Sequence, residues 1–547
     1  MTGDTRAMTH APRHRGRRRW DEGAGREAAE RLARGGALAE VLDTGDPAAW
    51  IALDQAVRGL PHPDGALPAL LRARPETALC HAEGRIREEA LPAHGQDGSL
   101  LPLVVIRCAD WIQPVRTRAR ALLERALAEH PGRTLGALTP LVLRLGARER
   151  GAWARELFEA ALREAPAGVL EELLRGGDPA ARRFAGGLLL ESARPGAVEL
   201  ARRAAREGDA VLRRLWTDAA LAALAAEVER APYAGTDARA STGRAEDGAG
   251  AGPDAVVDLL LGARSGQVRA AGAPCAGDAV TGRDGAGGSA EAGAGADLVV
   301  DLLLGARSGQ VRAAGVTALR RLGRAAEAGD HLADRVAVVR ACARWLVGQD
   351  GGDPHARYRE LCAAPATLTG GAVLGLAECG RRTDAPVLRA LLSHPRPGVR
   401  AGAVAGLRLL DAADADAAWP LLADPSGAVV REAALALRPS ADRLPEARLT
   451  GLLGPGAPLA QRRAAHRLLH ARGGVAALRA SVALLEDPDP GLRGRAEQCL
   501  QALWSPYAPP PLPARDPEVD ALLARCTGVF SDHVLRRMRA RLGFATP

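Results

Sequence analysis

The sequence predicts an all-α chain, an α-α superhelix of about a dozen helical hairpins. The strongest sign is an arginine that recurs every 31 residues, with an alanine three residues after each copy: Arg400, Arg431, Arg462 and Arg493. Aromatic residues make up only 3% of the chain, which suits closely packed small-residue helices better than a β-sheet core. Because 547 residues exceed one compact core, an extended array also explains the length.

Residues 384–410 show the design of one unit, which has two apolar helical stripes separated by a short break. In the second stripe Val399, Ala403 and Leu407 fall on one helix face. The break recurs further along the chain as Asp424-Pro425 and Asp487-Pro488. Proline suits the start of a helix, and an aspartate there can accept hydrogen bonds from nearby amides. Each unit is therefore expected to contain two helices joined by a tight turn.

Looser copies of the arginine position extend the array towards the N-terminus, at Ile86-Arg87, Val115-Arg116, Ala181-Arg182, Leu212-Arg213, Val311-Arg312 and Val339-Arg340. The predicted organisation follows from them. It comprises an Arg-rich disordered tail (1–30), N-terminal capping helices (31–66), repeats (67–231), a Gly/Ala-rich insertion (232–296), further repeats (297–504), a proline-rich spacer (505–514) and C-terminal capping helices (515–547).

The insertion contains a partial duplication. Residues 254–272 recur at 297–315 with one difference, Ala255 against Leu298. Only the second copy continues into an apolar segment that can complete its second helix, at 316–322. We therefore expect 297–323 to occupy the array, and the Gly/Ala-rich stretches before it to be largely disordered.

These residues resemble the short HEAT repeats named after the phycobilisome lyase subunits, whose consensus also has Asp-Pro in the turn and Val-Arg opening the second helix. The resemblance covers about four-fifths of the chain. It implies two antiparallel helices per repeat, a right-handed HEAT/armadillo-type solenoid, and second helices along the concave side. It also implies that each arginine pairs with a turn aspartate of its own or the next repeat, for which Asp424 and Asp487 are suitable.

The arginine row is therefore expected to be mainly structural, and its members are only weak candidates for partner binding: Arg400, Arg431, Arg462 and Arg493. An anion-binding role stays open where the turn lacks an acid. Arg400 follows such a turn, His394-Pro395-Arg396.

The formal charge of +8 lies mostly at the two ends of the chain. Residues 1–20 hold six arginines against one aspartate, net +5, and residues 515–547 hold six arginines against four acids, net +2, which leaves +1 between them. The total therefore implies no broad basic groove. Eight cysteines without a CxxC pair indicate a reducing compartment, and no apolar run has the length of a membrane span. We expect a cytoplasmic protein that does not enter a membrane.

Residue types exclude several chemistries, because a chain without lysine has no P-loop lysine and forms no lysine Schiff base. His466 and His470 lie one helical turn apart, but no third zinc ligand is near them in sequence, so an exposed polar face is the preferred interpretation. Cys80-His81 is adjacent, a spacing that directs the two side chains apart on a helix. No catalytic, cofactor-binding or metal site is predicted.

The leading hypothesis is a non-enzymatic scaffold or adaptor that binds a protein partner of unknown identity through its concave face. Two alternatives come from enzymes on related repeats. One is a DNA-binding protein similar to the HEAT-like DNA glycosylases, with Asp110-Trp111 and Trp216-Thr217-Asp218 as candidate positions; nucleic acid is possible but not favoured. The other is a chaperone for a prosthetic group similar to the bilin lyases, although no bilin motif is present.

Overall fold

The computed structural model describes residues 22–59, 74–94, 97–193, 195–230, 288–503, 505 and 510–544. Within these ranges every regular element is an α-helix or a 3-10 helix, so the described chain is all-α, as predicted. It divides into two units, Met1–Ala226 and Glu227–Pro547. In each unit helical hairpins stack on one another, which is the local architecture of an α-α superhelix.

The first unit consists of helices of 4 to 21 residues, many of which pack on a helix close to them in sequence. They are α1 (Glu22–Ala33), α2 (Leu38–Val41), α3 (Pro47–Gly59), α4 (Pro75–Ala78), α5 (Gly84–His94), α6 (Leu101–Arg107), α7 (Gln113–Glu129), α8 (Pro131–Leu145), α9 (Ala152–Glu164), α10 (Ala167–Arg175), α11 (Pro179–Ser192), α12 (Ala197–Arg206) and α13 (Ala210–Arg230), whose last residues pass the unit boundary.

The second unit repeats a helix-turn-helix hairpin, with several first helices shortened to one or two turns and continued as 3-10 helices. Its helices are α14 (Gly288–Leu304), α15 (Gly309–Leu319), α16 (Ala337–Gln349), α17 (Pro354–Ala363), α18 (Gly370–Cys379), α19 (Ala385–Ala390), α20 (Pro397–Leu409), α21 (Ala415–Ala418), α22 (Gly427–Leu437), α23 (Glu446–Gly451), α24 (Leu459–Arg472), α25 (Gly474–Ala483), α26 (Pro490–Gln501), α27 (Pro517–Ala524) and α28 (Asp532–Arg541).

The second helices of these hairpins lie side by side, with α18 packed on α20, α20 on α22 and α22 on α24. We refer to α15, α16, α18, α20, α22, α24 and α26 as the second-helix row. The alanines of the 31-residue register are completely buried within it, at Ala403, Ala434, Ala465 and Ala496. Their small side chains allow neighbouring helices to approach closely.

Turn chemistry fixes where these helices begin. Asp178 and Asp489 precede α11 and α26, and each accepts a hydrogen bond from an amide in the first helical turn. Proline occupies the first position of both helices, where the missing N–H costs nothing and φ is already helical. The pairs named from the sequence, Asp424-Pro425 and Asp487-Pro488, lie in the turn just before α22 and α26 instead, where the aspartates accept the amide N–H of Ser426 and Asp489.

The N-terminal boundary differs from the prediction. Residues 1–30 were expected to be disordered, yet α1 begins at Glu22. Ala28, Ala29 and Leu32 are buried, and α1 packs on α3. The arginine content of this segment concealed a short amphipathic stripe, and burying that stripe favours the helix. Residues 1–21 lie outside the described residues.

The duplicated segment is described only in its second copy. Residues 297–315 run from α14 into α15, and α15 packs on α16. Helix α14 starts at Gly288, so the end of the segment predicted as an insertion is helical. The first copy, 254–272, lies outside the described residues. At the other end of the unit, Leu535 and Met538 of α28 are buried in a cluster with Leu478 and Val482 of α25.

Candidate basic groove

Arg400 shows how the repeats are joined. Its Nη1 donates hydrogen bonds to the carbonyl oxygens of His394 and Pro395 in its own turn, at 2.8 and 3.0 Å. Its Nε and Nη2 donate to the carboxylate of Asp424 in the next turn, both at 2.8 Å. Asp424 also accepts the amide N–H of Ser426 at 2.8 Å. The hydrogen bonds from Arg400 lower the pKa of Asp424, so this carboxylate stays charged and links two repeats.

The same bond pattern recurs through both units and forms what we term the arginine ladder. Its other members are Arg87 with Asp110 (2.9 Å), Arg182 with Glu207 (2.7 Å), Arg312 with Asp334 (2.8 Å) and Arg462 with Asp487 (3.2 Å). The acid lies in the following turn in every case. The looser sequence copies at Arg87, Arg182 and Arg312 therefore occupy the same structural position as Arg400.

The acid-poor turn before Arg400 does not leave this arginine free, so the observation that suggested an anion-binding role for Arg400 does not hold. Its side chain is only 14% exposed and is held on both sides by repeat contacts. The inference failed because it looked for an acid in the turn preceding the arginine, whereas the ladder takes its acid from the turn that follows.

Arg431 is not a member of the ladder, although it keeps the 31-residue register. The backbone N–H of the ladder residue Arg400 donates to the carbonyl oxygen of Arg396, the residue just before its helix. In α22 the corresponding bond, to Ser426, is made by the backbone N–H of Val430. Arg431 is thus one residue beyond the ladder position, about 100° further round the helix. Its side chain is 62% exposed and contacts Glu432.

Arg493 ends the register in α26. Its Nη1 donates to the carbonyl oxygen of Asp487 in its own turn, and among the described residues it forms no carboxylate pair. The four sequence candidates therefore separate into two ladder members, Arg400 and Arg462, and two arginines without a ladder acid, Arg431 and Arg493.

A different set of residues forms a basic cavity in the second unit. It is an open groove of about 570 Å³ along α22, α24 and α26. We call it the basic groove. Its lining consists of Leu435, Arg438, Arg463, His466, Arg467, His470, Ala471, Gly491, Leu492, Arg495 and Cys499.

Three guanidinium groups of the basic groove, those of Arg438, Arg467 and Arg495, are exposed and form no ion pair with any described residue. The fourth, Arg463, pairs with Asp489 at 3.0 Å. No acidic side chain lines the cavity. Burial lowers the pKa of Arg467, and the nearby charges of Arg495, Arg431 and Arg438 lower it further, against an opposing effect of Glu432. The groove therefore holds like charges whose mutual repulsion an anion would relieve.

His466 and His470 stack at the wall of the basic groove with ring centroids 6.2 Å apart. His470 is exposed, as predicted, but the expectation of an exposed face is wrong for His466. That side chain is 3% exposed, and its Nε2 lies 3.1 Å from Ser481 Oγ. Burial lowers the pKa of His466 to about 4, and the charges of His470 and Arg495 act in the same direction. His466 is thus neutral at pH 7.

The residues proposed for glycosylase-like chemistry do not come together as a site. Asp110 is buried and bound to Arg87 and Arg107, while its neighbour Trp111 is 64% exposed. Trp216 is buried beneath the guanidinium of Arg203, 5.6 Å from the ring centroid. Asp110 is therefore a structural member of the ladder.

Cys80 has the properties of a core side chain. It is completely buried, and burial raises the pKa of its thiol well above the ordinary value, with a further contribution from Asp54. This environment disfavours the thiolate that nucleophilic catalysis requires. Within the described ranges there is also no cluster of three His, Cys, Asp or Glu side chains suited to a metal ion. No described helix combines the length and the apolar character needed to cross a bilayer.

The basic groove could not be predicted from the total charge, because acidic side chains elsewhere in the chain offset the local excess of arginine. A local signal was present. The segment 459–472, LAQRRAAHRLLHAR, contains four arginines and two histidines and no acid. The net charge of each second helix, counted separately, would have identified α24 as strongly basic. The net charge summed over the whole middle of the chain did not.

Comparisons with known proteins identify no family. No protein-family model matches the sequence, and no curated protein matches it either. Among solved structures, YibA of E. coli aligns at 13% identity and a TM-score of 0.22, covering 63% of this chain and 96% of its own. Kap95p in a structure with RanGDP aligns at 13% and 0.25, covering 95% and 68%. Kap95 in complex with Nup1 aligns at 14% and 0.28, covering 95% and 74%. At these values the similarities support no inference about function.

Proposed function

We propose that this chain is a non-enzymatic scaffold of short HEAT-type repeats, of the kind named after the phycobilisome lyase subunits, and that it binds a protein partner in the cytoplasm along its second-helix row. The basic groove is the observation that favours this function most directly. It is an open cavity with Arg438, Arg467 and Arg495 unpaired on its surface. Because these arginines share one cleft that no acidic side chain lines, their charges add to a positive potential that favours an external anionic ligand.

The chemistry of the rest of the chain supports a binding role over a catalytic one. The buried carboxylates that lie near arginines, such as Asp110 and Asp487, are used in the ladder. The thiol pKa values of Cys80 and Cys342 are raised by burial. A repeat array with a charged open groove fits recognition of an extended partner through contacts spread over several repeats.

Site-specific photocrosslinking tests this function. A benzoylphenylalanine at Ala471, an exposed residue that lines the basic groove, is expected to crosslink to one discrete protein in the native host. The matched control is the same amino acid at Thr450, which is exposed at the end of a first helix, α23, of the same hairpin. Equal crosslinking from both positions, or crosslinks from Ala471 to nucleic acid alone, would rule the proposal out.

DNA binding is the second candidate, and salt separates it from protein binding. Duplex contacts release counterions, so affinity that falls about a thousandfold or more between 50 and 200 mM salt indicates many phosphate contacts. Three unpaired arginines in one groove are too few for a slope of that size. We therefore expect duplex binding to be weak even at 50 mM salt.

A further inference from the structure

We propose that the basic groove is a docking site for an acidic protein segment in which glutamate or aspartate side chains alternate with apolar ones. This proposal rests on the proposed scaffold function and specifies the chemistry of the partner. Arg438, Arg467 and Arg495 supply the positive charge, and Leu435 and Ala471 supply apolar surface in the same lining.

The charge of the groove calls for an anion. Arginine presents a planar fork of donors that matches a carboxylate, and the chain already uses this match at Arg400 with Asp424, where both bonds measure 2.8 Å. Arg438, Arg467 and Arg495 have the same side chain without the acid. Carboxylates of a partner would give each of them the pairing that the ladder arginines obtain within the fold.

The extent of the basic surface limits the occupant to a short segment. Arg408 and Arg431 on the α20 and α22 side both contact Glu432, at 3.7 and 3.0 Å. Further along the second-helix row Arg344 pairs with Glu378 at 2.5 Å. Each of these neighbours contacts a carboxylate, whereas Arg438, Arg467 and Arg495 contact none among the described residues, so the arginines without an acid lie together in one cavity.

The lining favours a peptide over a nucleic acid. No Trp, Tyr or Phe lines the groove, whereas single-stranded nucleic acid is held largely by bases stacked on such rings. Of the two histidine rings in the lining, that of His466 is buried and engaged with Ser481, which leaves His470 as the exposed ring of the groove. Leu435 and Ala471 add accessible apolar atoms to the lining, and the aliphatic side chains of an amphipathic acidic segment can pack on them.

Fluorescence anisotropy with the full-length chain at 50 mM salt tests this inference. The probe is a labelled 12-residue peptide that alternates glutamate with leucine and alanine, and its competitors are the glutamine version, a phosphoserine version and a 12-nucleotide oligothymidylate. We expect the glutamate peptide to bind, and the double variant Arg467→Gln/Arg495→Gln to weaken it at least about tenfold.

The matched control is Arg443→Gln/Arg448→Gln. It removes the same two charges at and just before the first helix α23 of the α23–α24 hairpin, where both side chains are exposed. We expect the control to change affinity less than about twofold, since long-range charge effects are screened beyond a Debye length. Thermal unfolding of both variants, compared with the wild type, verifies that the array stays folded.

Three results would overturn the inference: no binding of the glutamate peptide at 50 mM salt, equal loss in the two double variants, or tighter binding of oligothymidylate or the phosphoserine peptide. If the glutamate peptide fails while Ala471 still crosslinks to a protein in the host, the scaffold function stands and only the acidic docking site is excluded. If the glutamate peptide does not bind and Ala471 gives no protein crosslink either, the scaffold function is excluded together with the acidic docking site.

Discussion

Replacing Asp110 with asparagine is expected to lower the free energy of unfolding by about 3–5 kcal/mol, because it leaves the buried guanidinium of Arg87 without a counter-charge. The Asp110 side chain is fully buried and accepts bonds from Arg87 at 2.9 and 3.0 Å and from Arg107 at 3.2 Å. Arg58 lies 3.4 Å from it. Asp54 pairs with Arg107 and Arg58, and burial raises its pKa despite the charge of Arg58. Three arginines thus share two carboxylates.

The control for this prediction is Glu89→Gln. Glu89 pairs with Arg85 at 3.1 Å on an exposed helix face, so its loss should cost less than about 1 kcal/mol. Urea unfolding followed by circular dichroism measures both variants. A cost for Asp110→Asn as small as that of Glu89→Gln would mean that this network does not hold the first unit together.

The second large effect is a loss of stability in mild acid that originates from His466. Its pKa is about 4 in the folded chain and about 6.5 when unfolded. Between these values the unfolded state binds the proton and the folded state does not, so stability is complete above pH 6.5 and falls as the pH is lowered towards 4. At pH 5.0 the expected loss from this group is about 2 kcal/mol relative to pH 7.5.

Unfolding of the wild type and of His466→Gln at the two pH values isolates this contribution. The wild type should lose about 2 kcal/mol more than the variant on going from pH 7.5 to 5.0. His533→Gln serves as the control, because His533 is exposed at the start of α28 and lies outside the groove. Identical pH dependence in the wild type and His466→Gln would contradict the burial of this imidazole.

The helical hairpins could be predicted from sequence because their determinants are local. Proline at the first helical position, an aspartate that caps it and apolar residues at helical spacing identify the second helices without knowledge of the neighbours. The buried alanines Ala403, Ala465 and Ala496 follow from the same pattern. Helix α1 was missed because its stripe is short and its burial depends on α3, which is distant in sequence.

The roles of individual arginines could not be assigned in the same way. Register alone placed Arg431 with Arg400, yet a shift of one residue puts Val430 at the ladder position and turns Arg431 outward. The acid of each ladder pair lies in the following turn, so the absence of an acid before Arg400 had no bearing on its pairing. Arg438, Arg467 and Arg495 share no register, and only the stacking of α22, α24 and α26 brings them to one cavity.

The central claim is that arginines of the second-helix row divide into ladder members that join repeats and groove members that bind a ligand. A crossed comparison of Arg400→Gln with Arg467→Gln tests it most directly, with urea stability and affinity for the glutamate peptide measured on both. Arg400→Gln should cost about 1.5–3 kcal/mol of stability, since it leaves Asp424 without its charged donor, and should leave affinity unchanged. Arg467→Gln should weaken the peptide severalfold at unchanged stability. Loss of affinity in Arg400→Gln equal to that in Arg467→Gln, or equal stability loss in both, would contradict this division.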